Sequence, residues 1–371
     1  MRKNKVLFLT RYSSIGASSR VRFYQFIPWL SKGYELHCQE LFGDSYLKSL
    51  YQKNNRDIFL VFFSYIRRLI FLLRELGKFD VVVVEKELFP YIPAFFETYL
   101  LRKSPFILDY DDATMHVYDK SKSKIILYFL KDKIKMLMNS ASANVVGNSY
   151  LYEYAISSGV NPVKLQKIPS VVDLARYPRG VIRKNVPAKC VIGWIGSPGS
   201  QRVLLPMVAL LKELTLTHNV KVVLVGAKEI DGYADCFEYT DWTLESEVEI
   251  LSQFDIGIMP LQDEPFQHGK CAYKIIQYMA AGLPVVCSPV GVNVEIVKNG
   301  VNGFKAVGQV EWREFLRLLV DDLSLRDTLG KKGRELVEDN FTLEYAGEHL
   351  HRVLARVANS DDNKISDDFS N

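Results

Sequence analysis

Residues 255–287 decide the fold: Asp255-Ile256-Gly257-Ile258-Met259-Pro260, a loop from Leu261 to Gly269, a helical pattern from about Lys270 to Ala281, then Gly282-Leu283-Pro284 leading into Val285-Val286-Cys287. A short apolar run closed by proline reads as a buried strand. Gly-Leu-Pro stops a helix and leaves only an extended continuation. Strand, helix and strand in that order form a parallel pair with a crossover helix. Working outward, the same alternation recurs. In the C-terminal part it predicts strands at Cys190–Ile195, Val222–Val225, Ile256–Met259, Val285–Ser288 and Phe304–Ala306. In the N-terminal part it predicts strands at Val6–Thr10, Tyr34–Cys38, Val81–Val84, Phe106–Tyr110, Ala143–Val146 and Leu165–Ile168. Helical patterns between them include Ser19–Ser31, Phe59–Leu76 and Lys124–Asn139.

Each series opens with an apolar strand running into a glycine-bearing turn. At 371 residues the chain is too long for one ordinary core and comfortable for two α/β domains. The first is placed at 1–172 and the second at 190–342. Between them the run Pro169–Lys189 holds three prolines and five Lys/Arg, and 173–189 reads as a linker. Helices follow at Val310–Leu323, Leu325–Glu338 and Leu343–Val357. From Asn359 onward the chain is rich in Asp, Ser and Asn, and 359–371 reads as a disordered tail.

The net charge of +4 is too mild to argue for nucleic acid as a partner. Five scattered cysteines without metal-site spacing read as reduced thiols of a cytoplasmic protein. The basic start Met1–Lys5 precedes an apolar run too short for a secretion signal. No apolar run reaches the roughly 18 residues of a membrane span. The aromatic Phe59–Leu76 pattern, with Arg67-Arg68 inside it, reads as a core helix. Basic residues from Lys120 to Lys135 keep a second reading open, peripheral contact with the inner face of a membrane.

Four segments carry chemistry. On a helix from Lys270, the residues Lys270, Lys274 and Gln277 share one face, just past a strand's C-terminal end, where open α/β sheets bind anions. The alternative is a solvated face with ordinary lysines. The turn Gly196-Ser197-Pro198-Gly199-Ser200 lets backbone approach a phosphate, with Arg202 just inside the next helix. The turn Ser13–Arg22 contains Gly16, and Ser18 or Ser19 can cap a helix there. In Leu108-Asp109-Tyr110-Asp111-Asp112-Ala113, adjacent carboxylates end a strand. They can accept a proton from a hydroxyl or act as first-turn helix acids. His116 nearby reads as a bystander, and metal binding is not expected.

Taken in order, these segments resemble the GT-B glycosyltransferases of family 4. The resemblance rests on Asp255–Pro260, Tyr278–Val286, Gly291 and the turn Asn299-Gly300-Val301-Asn302-Gly303-Phe304, with Gly16 and Ser170-Val171-Val172-Asp173 as weaker matches. It covers nearly the whole chain apart from the tail. The family commonly carries two glutamates with seven residues between them in its donor block; in register, Gly269 and Gln277 stand there. Asp111 or Asp112 stands where many members place a histidine.

The resemblance implies two Rossmann-like domains with parallel sheets facing a central cleft, and a final helix, 343–358, returning to the first domain. It implies a retaining, metal-independent transfer of a sugar from a nucleotide-diphosphate sugar to a glycan or lipid-linked acceptor hydroxyl, in polysaccharide or glycoconjugate assembly. No cofactor beyond the donor is implied. Donor-binding candidates are Gly16, Ser197, Arg202, Gly269, Lys270, Tyr273, Lys274 and Gln277; catalytic candidates are Asp111, Asp112 and Lys270. The absent glutamates leave a non-catalytic partner subunit as an alternative, and a nucleotide-sugar epimerase shares the architecture.

Overall fold

The computed structural model describes residues 2–53, 58–178 and 189–368, and the chain divides into two compact units. The first comprises 1–170, 268–271 and 343–371; the second comprises 171–267 and 272–342.

The first unit is built on six parallel strands, β1 (Asn4–Tyr12), β2 (Tyr34–Phe42), β3 (Val81–Glu85), β4 (Phe106–Tyr110), β5 (Ala143–Val146) and β6 (Leu165–Lys167). Their order is β2-β1-β3-β4-β5-β6. Val6–Leu9 and Val81–Val84 are buried throughout, as central strands covered on both faces require. The order reverses between β1 and β3. Crossovers are right-handed, so the connection from β1 to β2 covers one face, and those from β2 through β5 cover the other. The Leu343–Asp368 helix packs beside the short Ile27–Leu30 helix, with the His351 ring edge-on to Trp29 and Tyr34.

Three helix expectations change in this unit. The Ser19–Ser31 pattern breaks into Ala17–Arg22 and Ile27–Leu30, because Phe23 leaves the helical region and Pro28 suits only a first turn. The Lys124–Asn139 pattern divides into Lys124–Leu130 and Lys133–Ser140. The Ile58–Glu75 helix is no core helix: Arg68 and Leu72 face inward, and its apolar side chains are largely exposed. The buried Arg68 guanidinium explains the orientation. It donates to Gln39 Oε1 at 2.8 Å and to the carbonyls of Thr10 and Gln39, fastening the helix to β1 and β2 through polar contacts. The last helix also runs on to Asp368, through the stretch expected to be a tail. With no Gly or Pro to stop it, an established helix adds residues cheaply. Residues 369–371 lie outside the described residues.

The second unit carries β7 (Cys190–Ile195), β8 (Val220–Val225), β9 (Glu238–Thr240), β10 (Ile256–Met259), β11 (Val285–Cys287) and β12 (Gly303–Lys305), all parallel, in the order β12-β11-β10-β7-β8-β9. One apolar layer gathers around Trp194, Leu211 and Leu316; the opposite one gathers around Phe254, Ile275 and Tyr278. The edge strand β9 has no counterpart among the sequence expectations, since three residues reading Glu-Tyr-Thr show no periodicity. Part of the expected linker is core: Tyr177 is buried in the second layer. Val172, expected to close the first domain, is buried there too, and its N–H donates to the Phe341 carbonyl at 3.1 Å. The remainder, 179–188, lies outside the described residues.

Candidate functional site

In each sheet the strand order reverses beside the first strand, between β1 and β3 and between β7 and β10. Crevices at the carboxyl ends of such strands are the ligand-binding positions of open α/β sheets. The glycine-bearing turns sit there.

In the second unit, β7 runs into Gly196. A Cβ there would stand 2.2 Å from the Trp194 ring and 2.8 Å from Ser200 Oγ, so only glycine fits. Ser197 opens the following 3-10 segment, Pro198–Met207, and forms a reciprocal cap with Ser200. The Tyr273–Ala280 helix follows β10. Tyr278 pins it to the strand ends: its hydroxyl accepts from the Ile195 N–H at 3.0 Å and donates to the Ile258 carbonyl at 3.3 Å. Tyr278 also lies where a Cβ on Gly257 would fall, 2.4 Å from its ring. The helix therefore begins beside the Gly196 turn, and the Lys274 ammonium lies 5.2 Å from the Trp194 ring centroid. Arg202 is exposed and 3.9 Å from Glu264.

The expected common face of Lys270, Lys274 and Gln277 does not form. The helix starts at Tyr273, after Ala272 in a left-handed conformation (φ 50°), so Lys270 precedes it. Gln277 is only 3% exposed, and its amide donates to the Tyr177 hydroxyl at 3.5 Å. Tyr177 in turn contacts buried Glu247 at 3.3 Å, which also accepts from Trp242 Nε1 at 3.0 Å. Gln277 thus belongs to a polar chain inside the unit.

The first unit concentrates charge at the ends of β1, β3 and β4. Arg22 grips Asp109 through two hydrogen bonds, 2.8 and 2.7 Å, and donates to the Ile168 carbonyl at 2.9 Å. Asp109 is therefore committed inward, while Asp111 and Asp112 turn toward Lys86. The Lys86 ammonium lies 2.9 Å from Asp111 and 2.6 Å from Asp112. Ser18 donates to Asp111 at 2.6 Å, and Thr114 Oγ1 donates to Asp112 at 2.5 Å. Burial favours the neutral form of Asp111, yet Lys86, Ser18 and Arg22 hold its carboxyl below the usual range. Burial likewise works against the Lys86 ammonium, but Asp111, Asp112 and Glu85 raise its pKa well above the ordinary lysine value. Lys86 has φ 64°, a conformation costing a non-glycine residue about 1–3 kcal/mol. Its carboxylate pair and an N–H bond of 2.9 Å to the Asp109 carbonyl hold it there.

Gly16 stands before the Ala17–Arg22 helix, where a Cβ would stand 2.5 Å from Tyr12 Cβ. Ser19 Oγ donates to buried Glu85 at 2.6 Å, which also accepts from the Arg11 N–H at 2.7 Å. This fixes the turn against β3.

Residues 268–271, with Gly269 and Lys270 at their centre, group with this unit. Asn148 Nδ2 donates to the Gly269 and Lys270 carbonyls at 2.9 and 3.1 Å. The Cys271 thiol donates to the Asp111 carbonyl at 3.1 Å, and burial raises its pKa. Gly269 lies flat on Ala113. Lys270 is thereby set beside the strand end that bears Asp111 and Asp112. Gly147 also lies against the Cys271 sulfur, where a Cβ would fall 2.2 Å from it.

Several residues of these arrangements escaped the sequence reading. Glu85-Lys86-Glu87 is the clearest, and the signal was present: three charges directly after an all-valine buried strand. Asn148 was not singled out, although an Asn before a helical pattern caps it, as it does here by accepting from the Leu151 N–H at 2.9 Å. His116 is better connected than a bystander. It bonds Asp119 at 2.8 Å and the Tyr150 hydroxyl at 2.7 Å, and Tyr150 stacks on His268. Among the described residues, no group of three or more His, Cys, Asp or Glu side chains is arranged to hold a metal ion.

The architecture is the GT-B fold: two Rossmann-like units, each with a six-stranded parallel sheet and flanking helices. Residues 189–321 match the family described as glycosyl transferases group 1. Over 181 residues the chain is 24% identical to the capsular polysaccharide biosynthesis glycosyltransferase CapM of Staphylococcus aureus, covering 44% of this chain and 45% of CapM. The match thus spans under half the length of that relative. Among solved structures, Anabaena HepE in complex with UDP is similar with a TM-score of 0.69 and 15% identity, covering 95% of this chain and 100% of that one. HepE with UDP-glucose gives 0.69 at 14% identity over the same shares. Sucrose-phosphate synthase of Thermosynechococcus elongatus gives 0.72 at 15% identity, covering 96% and 100%. At these identities the likeness is one of fold.

Proposed function

We propose that the protein is a retaining family 4 glycosyltransferase, moving a sugar from a nucleotide-diphosphate sugar to an acceptor hydroxyl in surface polysaccharide or glycoconjugate assembly on the cytoplasmic side. One observation carries the reading. Residues 189–321, which match a family of glycosyl transferases, carry a glycine turn and a helix start at the carboxyl ends of β7 and β10. The partial positive charge of a helix start and the Lys274 ammonium favour a diphosphate there.

In this reading the second unit binds the donor through the Gly196–Ser200 turn, Tyr273 and Lys274, with Arg202 at the rim. The first unit offers Asp111 and Asp112 to acceptor hydroxyls. As the glycosidic bond breaks, negative charge grows on the departing diphosphate, and Lys270, Lys274 and the backbone donors stabilise it without a metal. Gln277 supports the helix from inside. It would reach a ribose hydroxyl only by leaving Tyr177. UDP-sugars are the first donors to try, since HepE was solved with UDP and with UDP-glucose.

The test is product formation. Purified protein is incubated with donor and either lipid-linked or glycan acceptors, and the new anomeric centre is read by NMR. Acceptor-dependent release of nucleoside diphosphate with retained configuration supports the reading. Donor turnover without acceptor points to an epimerase, and inversion refutes the retaining assignment.

A further inference from the structure

We propose that the crossover-helix face of the first unit seats on an anionic lipid surface, an assignment that goes beyond the transfer reaction and does not depend on it. A helix on a soluble protein turns its apolar stripe to the core and its charges to water. In the Ile58–Glu75 helix the pattern is inverted. Arg68 points inward and is fully buried, while Phe59, Phe62, Phe63, Ile66, Ile70 and Leu73 are all exposed. At 100° per residue these six fall within about 100° of arc, one continuous stripe. Phe59, Phe62 and Phe63 are 72, 60 and 63% exposed.

Two further helices add to the face. The connections from β2 to β3, β3 to β4 and β4 to β5 all step in one direction across the sheet, so right-handed crossovers lay their helices on one side. The Ala94–Leu101 helix exposes Phe95 and Tyr99 at i, i+4 and packs on the Lys133–Ser140 helix. The Lys124–Leu130 helix exposes Ile125, Tyr128 and Phe129 at i, i+3, i+4. Exposed aromatic and aliphatic side chains on three helices of one sheet face are unusual where that face meets only water.

Charge complementarity chooses the occupant. From residue 120 to 140 five lysines are exposed, Lys120, Lys122, Lys124, Lys131 and Lys135, against one exposed carboxylate, Asp132. Aromatic side chains beside such a lysine cluster match the interface of an anionic bilayer, where rings enter the headgroup layer and ammonium groups meet lipid phosphates. Among the described residues no helix is long and apolar enough to cross a membrane. The contact is therefore peripheral.

The experiment uses the full chain and vesicles of phosphatidylcholine with or without phosphatidylglycerol, read by co-flotation. Binding to the anionic vesicles is expected, weakened by salt and at least tenfold lower on phosphatidylcholine alone. Phe59→Ser, Phe62→Ser and Phe63→Ser combined should lower binding at least tenfold with unchanged circular dichroism. The side chains are exposed, so the fold does not need them. Lys122→Glu with Lys124→Glu and Lys131→Glu should do the same by removing charge. As a positive readout, Phe62→Trp should show a blue-shifted emission on anionic vesicles. Absence of wild-type flotation, or flotation of both sets of variants equal to that of the wild type, overturns the proposal. So does a dimer in sedimentation velocity that dissolves in the phenylalanine variant without any lipid binding; the face would then belong to a second copy.

Discussion

The side-chain amide of Asn148 donates to the carbonyl of Gly269 at 2.9 Å, although 121 residues separate the two. The same amide reaches the Lys270 carbonyl at 3.1 Å. Residues 268–271 thereby group with the unit built on β1–β6, where the Cys271 thiol also donates to the Asp111 carbonyl. Glycine is needed at 269 for that approach.

Gly269→Ala tests the fit. A Cβ there would stand 2.4 Å from the Ala113 nitrogen and 2.6 Å from its Cβ, and backbone cannot yield as a side-chain tip can. Overpacking of this kind costs about 1–3 kcal/mol. Thermal unfolding should show a lower Tm, and catalysis should fall with it. Gly199→Ala is the control: nothing lies within 4 Å of a Cβ there, so its Tm should match the wild type.

Lys86 should be indispensable for the order of the acidic cluster. Lys86→Met leaves Asp111 and Asp112 without their shared cation, and removing one partner of a buried ion pair costs about 3–5 kcal/mol. Chemical denaturation should report a loss of that order. The Asp111 carboxyl should also titrate at higher pH in the variant, by NMR, because its largest charge partner is gone. An unchanged midpoint and titration would refute the pairing.

How much of this was legible varies with the kind of force involved. Buried parallel strands announce themselves as apolar runs, so Phe106–Tyr110, Ala143–Val146, Cys190–Ile195 and Ile256–Met259 come out with the observed ends. Long-range polar contacts leave no such trace. Arg68 turns its helix inside out by reaching carbonyls on two strands, and periodicity alone suggests the opposite face. The helix expected from Lys270 fails for a similar reason. Its first residues have helix-compatible side chains, but Asn148 and Asp111 capture residues 269–271, and Ala272 takes a left-handed turn before the helix begins. Both glycine turns were visible because their signal is local.

A second buried cluster gives a pH prediction. Lys133 lies 2.6 Å from Glu87 and 2.8 Å from Glu97, and Glu97 also accepts from the Leu88 N–H at 2.7 Å. Burial and the neighbouring Glu87 push the Glu97 carboxyl up to about 7, while Lys133 and Arg11 hold Glu87 low. The folded chain thus binds the Glu97 proton more tightly than the unfolded chain. The resulting stabilisation is fully present below about pH 4.5, the ordinary value, and is lost as pH rises through 7. In Glu97→Gln this contribution should no longer vary with pH. The difference in unfolding free energy between wild type and variant should change between pH 4.5 and 7 and level off outside that window. A constant difference would place the proton elsewhere.

Whether the chain binds a nucleotide-sugar donor with Lys270 against its diphosphate is read by thermal shift with a panel of nucleoside diphosphates and nucleotide sugars, on wild type and Lys270→Ala. Binding to the folded state alone raises Tm with ligand concentration. At least one donor should stabilise the wild type, and the shift should shrink in a variant whose unliganded Tm is unchanged and whose turnover falls about a hundredfold. A folded wild type whose Tm no donor moves, across a panel containing the common bases, would contradict donor binding.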